Sequence, residues 1–147
     1  MQVIGFTFTK IHAERKDTFQ QKQSINTNLQ FLDLIKDKLS LLKDQEVIKI
    51  KFQYSLNYSN SENDSKKGKK SKNNGEVIIE GIITIAATPE ESKEVQKSWK
   101  KKELPVNMKL ILYNLILKKC TVKAIPLQEE ISLPHHIPLP RLQPKKE

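Results

Sequence analysis

Between Ile48 and Tyr58 every second residue is bulky and apolar: Ile48, Ile50, Phe52, Tyr54, Leu56 and Tyr58. Lys49, Lys51, Gln53, Ser55 and Asn57 fill the gaps. Alternate side chains of a strand point to opposite sides, so this run reads as a strand with one dry face and one wet face. A chain containing it must build a sheet and cover one side of it. Three more segments carry the same period. Gln2 to Ala13 puts Ile4, Phe6 and Phe8 on one face and Val3, Thr7, Thr9 and Ile11 on the other. Ser24 to Phe31 alternates Ile25, Thr27, Leu29 and Phe31 with polar residues. Glu76 to Ala87 carries Val77, Ile79, Ile83 and Ile85 on one face and Ile78 and Ile82 on the second, which places it centrally in the sheet.

After Ala87 the period becomes helical. Thr88 can cap a helix, Pro89 suits its first turn, and Glu91 completes a capping box. Val95 and Trp99 share a face, Lys100 to Lys102 complement the dipole at the helix end, and Leu104-Pro105 breaks the element. A second helix is expected from Pro105 to about Lys119. Val106, Leu110, Tyr113 and Leu117 form one stripe of it, and Met108, Leu112, Leu115 and Ile116 fill another. A helix apolar on nearly all sides must be covered on nearly all sides. One sheet and a short polar helix cannot do this, so a second copy is expected on the first stripe, making a homo-oligomer.

The tail reads ISLPHHIPLPRLQP, and five of the seven prolines lie between Pro126 and Pro144. Proline excludes regular helix, so residues 126–147 are expected as an extended segment. Its apolar residues Ile131, Leu133, Ile137 and Leu139 fall on alternate positions, as in a stiff strap laid on its own subunit or a neighbour; a plug competing with a ligand is the other reading. The expected fold class is α+β: a four-stranded antiparallel sheet, two helices and an extended Pro-rich C-terminal segment, all in one domain of 147 residues.

The net charge is +9, and all but two of the 26 basic residues are lysine. The loop 59–75 concentrates Lys66, Lys67, Lys69, Lys70 and Lys72. It reads either as a weak nucleic-acid contact or as a disordered, solvated hairpin tip. The second reading is favoured, because no arginine fork or interleaved aromatic accompanies the lysines.

Catalytic motifs are absent from the sequence. The four glycines are isolated, so there is no phosphate loop, and there is no Cys-x-x-Cys. Cys120 follows an apolar helix and reads as packing; His135-His136 point to opposite sides of an extended segment; His12 reads as surface charge. No enzyme, cofactor or metal site is expected. A lone cysteine implies a reducing compartment. The first residues are not a signal peptide, and no apolar run approaches the roughly 20 residues of a membrane span. A cytoplasmic protein without membrane insertion is expected.

Four segments together resemble the SecB-like chaperone family. They are KIHAER (Lys10 to Arg15), INTNLQF (Ile25 to Phe31), PEESKEVQKSWKK (Pro89 to Lys101) and the block from Leu110 to Leu142 with its cysteine, VKAI and IPLP. The resemblance implies a tetramer, a dimer of dimers, that holds unfolded client polypeptides in apolar grooves without ATP. Some such proteins protect an antitoxin instead. It implies a groove lined by Phe19, Ile25, Thr27, Leu29, Phe31, Val95, Trp99 and Leu104, a subunit interface at Val106, Leu110, Tyr113 and Leu117, and a short strand at VKAI. The chain departs from SecB itself, which docks an export motor through acidic surface and has an acidic tail, in being basic and ending Pro144-Lys145-Lys146-Glu147.

Overall fold

In a computed structural model the chain forms strands β1 (Gln2–Arg15), β2 (Gln23–Asp37), β3 (Glu46–Asn60) and β4 (Asn73–Ala87), then helices α1 (Pro89–Trp99) and α2 (Val106–Glu130). The structure describes residues 1–19, 23–37, 44–60 and 73–145. The four strands make one antiparallel sheet in the order β1-β4-β3-β2. The strand apolar on both faces, β4, is internal, as its sequence requires.

The first two strands of the chain occupy opposite edges of the sheet. Beyond the end of β1, the Phe19 ring lies 6.0 Å from that of Tyr58, with the Arg15 guanidinium 5.7 Å from its centroid. The Lys16 amide donates to the Asn74 carbonyl at 3.0 Å.

The helices cover one face. There Ile48, Ile50, Phe52, Tyr54, Leu56 and Tyr58 of β3 are fully buried with Val77, Ile79, Ile83 and Ile85 of β4. α2 lays Met108, Leu112, Ile116, Cys120, Ala124 and Gln128 on them, every fourth residue, a ridge along the helix. α1 packs at the end where β3 begins. Ser92 hydrogen-bonds the Glu46 carboxyl there and, with Lys36, holds it below the usual carboxylate range. Val95 enters the core beside it.

The capping box at α1 forms as read: Thr88 Oγ1 accepts from the Glu91 amide at 3.2 Å, and the Glu91 carboxylate accepts from the Thr88 amide at 3.4 Å. Thr88→Ala is expected to lower stability by about 1 kcal/mol, seen as a lower denaturant midpoint at unchanged slope.

Three expectations need correction. First, register shifts between Val3 and Gly5 and between Phe8 and Lys10 interrupt the period of β1. Val3, Phe6, Phe8, Ile11 and Ala13 therefore lie on the helix side, opposite Ile85, Ile83, Gly81, Ile79 and Val77, and Ile4 is left exposed. Each extra residue flips the strand that follows it. Second, α2 does not stop near Lys119: it continues through Pro126 to Glu130, so VKAI is helical and the helix takes in the first five residues of the expected tail. Third, the loop between β3 and β4 is shorter than 59–75, because β3 runs to Asn60 and β4 starts at Asn73. Lys66, Lys67, Lys69, Lys70 and Lys72 lie outside the described residues.

α2 ends in a left-handed turn at Ser132 (φ 56°). The Ser132 amide donates to the Glu129 carbonyl at 3.2 Å and the Leu133 amide to the Gln128 carbonyl at 2.8 Å, the paired bonds of a Schellman stop. From Ser132 to Lys145 the chain has no regular secondary structure. Leu133 is buried against Gly75, and the residues from Pro138 to Lys145 are exposed.

Candidate functional site

The geometry of the covered face leaves two apolar grooves. A helix with its side chains is about 10–12 Å across, while four strands at about 4.8 Å spacing are wider. α2 therefore seals the two central strands and only shades the two edge strands. Burial follows this gradient: the inward residues of β3 and β4 are fully buried, whereas Phe6 and Phe8 of β1 and Ile25, Leu29, Phe31 and Leu34 of β2 are only partly covered. Ile11 remains 44% exposed.

The groove over β2 has Ile25, Leu29 and Phe31 on its floor, since these pair with Tyr58, Tyr54 and Phe52 and share their face. Thr27 lies between them and is exposed. The wall is the flank of α2: Tyr113 stacks on Phe31, with ring centroids 5.0 Å apart and 12° between the planes. Lys109 Nζ stands 5.6 Å from the Tyr113 ring. The groove over β1 has Phe6 and Phe8 in an edge-to-face pair at 5.2 Å, and Lys119 Nζ stands 5.9 Å from Phe6. Among the described residues, the outer edges of β1 and β2 have no strand partner, so backbone donors and acceptors border each groove.

The structure thus brings together Ile25, Thr27, Leu29 and Phe31 but does not join them to the other expected lining residues. Val95 and Leu104 are buried in the core, 1% and 5% exposed, and line no open surface. Trp99 is partly buried on α1, at the Glu46 end, whereas Phe19 sits at the Tyr58 end. Phe19 faces a separate cleft of about 670 Å³ with Arg15, Glu129, Leu133 and His135. Of the expected interface residues, Val106, Leu110 and Leu117 are exposed on α2, at 71%, 58% and 39%, and Tyr113 is engaged with Phe31.

The wall residues Lys109 and Lys119 escape a sequence reading. Which flank of α2 meets which strand depends on β1 and β2 taking opposite edges of the sheet, and no local pattern announces that.

A buried polar cluster closes the far end. Gln128 Nε2 donates to Tyr58 Oη at 2.7 Å and lies 3.0 Å from His136 Nδ1; Tyr58 Oη donates to the Pro134 carbonyl at 2.7 Å; His136 Nε2 is 3.1 Å from Tyr54 Oη. These bonds pin Ser132–Ile137 over the core as a strap. Burial pushes the Tyr54 phenol up to about 12 and raises Tyr58, so both are neutral donors.

Burial likewise pushes the Cys120 thiol up to about 12, which leaves it an inert packing group rather than a nucleophile. On the opposite, wet face of the sheet, His12, Glu14 and Glu76 bring their ligand atoms within 4.8 Å of one another. They are the described residues best placed to hold a cation, but the same atoms already pair: His12 Nε2 lies 3.4 Å from Glu14 and 3.3 Å from Glu76. Among the described residues, no helix is long and apolar enough to cross a membrane.

Compared with family models, curated proteins and solved structures, the chain matches none.

Proposed function

We propose that the protein is an ATP-independent holdase that keeps unfolded polypeptides from aggregating by binding their apolar segments in the two grooves beside α2. The observation that carries this reading is the coincidence of a half-covered apolar floor with an unpaired strand edge along β2. An extended client can bury alternate side chains on Leu29 and Phe31 while its backbone pairs with the edge. No phosphate loop is present in the sequence to make binding nucleotide-dependent. The single buried cysteine agrees with a cytoplasmic, reducing setting.

The working form is a homo-oligomer, a tetramer by resemblance. Val106, Leu110, Asn114, Lys118 and Val122 follow one another at four-residue spacing on the outside of α2, and all are exposed. A second copy seated on this ridge covers its valines and leucine and deepens the grooves on either side. Several grooves per particle turn weak local contacts into useful retention.

The test is suppression of light scattering from a client unfolding at raised temperature. About one oligomer per client should suppress aggregation, and most of the effect should survive 0.5 M salt. Ile25→Ser/Leu29→Ser, which keeps the core side chains of β3 and β4, should reduce suppression at least fivefold with unchanged circular dichroism. A wild-type chain that suppresses nothing, or a folded double variant that suppresses fully, overturns the reading. Activity that vanishes with salt and is replaced by oligonucleotide binding would transfer the function to the lysines.

A further inference from the structure

Charge is divided between the two sides of the sheet. The wet face alternates its signs: Lys49 pairs with Asp37 at 3.3 Å, Glu80 accepts from Gln53, and Glu14 and Glu76 flank His12. On the helix side, the inward residues of the two edge strands carry no carboxylate, and Lys36, the one lysine there, is held by Glu46 at 3.0 Å. α2 adds Lys109, Lys118, Lys119 and Lys123 before its first acid, Glu129. Among the described residues, none of these four lysines has an ion-pair partner.

Two of these lysines are aimed. Lys109 leans over the Tyr113 ring at the β2 groove and Lys119 over the Phe6 ring at the β1 groove, at 5.6 and 5.9 Å. Such contacts hold an ammonium beside the apolar floor while leaving its other protons to a partner. Each groove therefore offers an apolar floor, an open strand edge and one free ammonium at its inner rim. The segment complementary to this set is extended, apolar at alternate positions and bordered by aspartate or glutamate.

We propose that the two grooves select apolar segments flanked by acidic residues, with Lys109 and Lys119 as the selecting groups. This rests on the holdase reading and specifies its client class. Basic flanks are repelled by the same lysines, and the net charge of +9 speeds the encounter with acidic chains.

Fluorescence anisotropy of the full chain with three labelled peptides tests it. All share an alternating leucine-valine centre of about a dozen residues, and their flanks are acidic, serine or lysine. At low salt the acid-flanked peptide should bind about tenfold tighter than the serine-flanked one, shrinking to about twofold in 0.5 M salt, as exposed ion pairs do. Lys109→Glu/Lys119→Glu should invert the order between acidic and lysine flanks without loss of helix signal. Equal affinity for the three peptides overturns charge selection while leaving apolar binding intact. No binding of any peptide, together with no suppression of client aggregation, overturns the holdase reading and this one with it. Equal binding of an acidic peptide whose centre is serine, or tighter binding of an oligonucleotide of the same charge, also overturns the proposal, because attraction would then owe nothing to the groove.

Discussion

Gly81→Ala will destabilise the protein by about 3 kcal/mol, the upper part of the range for forcing atoms into a filled core. Gly81 lies at the centre of the sheet, opposite Phe8 on one side and Phe52 on the other. A Cβ built on it would stand 2.6 Å from the Thr7 carbonyl oxygen and 2.6 Å from Phe52 Cζ. The carbonyl belongs to a paired strand and cannot turn away; the ring is closed in by Phe6, 5.3 Å off. The register shift that follows Phe8 is part of the same accommodation, since β1 approaches closely where β4 has no side chain. Gly5→Ala is the control. There the nearest atom is Thr84 Cβ at 3.3 Å, which can give by a few tenths of an ångström, so the cost should stay below about 1 kcal/mol. Urea unfolding of both variants decides it: equal midpoints would mean that β1 and β4 are not packed as closely as described.

The sheet was readable where alternation ran unbroken. β3 has no irregularity until Tyr58, and the six apolar residues on its helix-facing side are all buried. β1 misled because a strand's period survives a bulge in the sequence but not in space. The eight-residue run Val3 to Lys10 holds two extra residues, and simple alternation then joins Ile4 to Phe6 although only Phe6 faces the helices. The length of α2 was hidden by Pro126. Its ring displaces only the carbonyl one turn back, at Val122, and both residues are exposed, so water can satisfy that carbonyl and the helix continues.

The candidate site was half legible for a related reason. Periodicity tells that a side chain faces something apolar; it does not tell whether the cover is complete. Val95, Leu104, Leu29 and Phe31 look alike in the sequence. The structure separates them by the width of the sheet, burying the first two under α1 and its exit and leaving the others at the shaded edge. Gln128 stands beside Glu129 and Glu130 in the sequence, yet it is fully buried, because the Schellman turn folds the tail back over it.

That tail will loosen in acid. Removing one hydroxyl with Tyr58→Phe leaves the Pro134 carbonyl unbonded and deprives the buried Gln128 amide of one acceptor, an expected cost of about 2 kcal/mol. His136 adds a dependence on pH. Burial, and then the neighbouring His135, push its imidazole below its ordinary value near 6.5. The groups that face it cannot compensate a charge. Tyr54 and Gln128 are neutral, and the Glu129 carboxylate is already 3.4 Å from His135 Nε2. Protonated Nδ1 would face the Gln128 Nε2 donor at 3.0 Å and could donate only to Gln128 Oε1 at 3.3 Å, so the buried charge gains one neutral acceptor there and no counter-charge. The unfolded imidazole takes up its proton at higher pH than the folded one, so this contribution is complete above about pH 6.5 and is lost as pH falls through the folded value. Corrected for the intrinsic slowing of amide exchange in acid, protection of the Leu133 and His135 to Ile137 amides should fall between pH 7 and 5, ahead of protection in β3 and β4, and His136→Gln should flatten that fall. An unchanged acid response in the variant would assign it to other groups. Faster exchange throughout the sheet would mean that Ser132–Ile137 opens only with the whole fold.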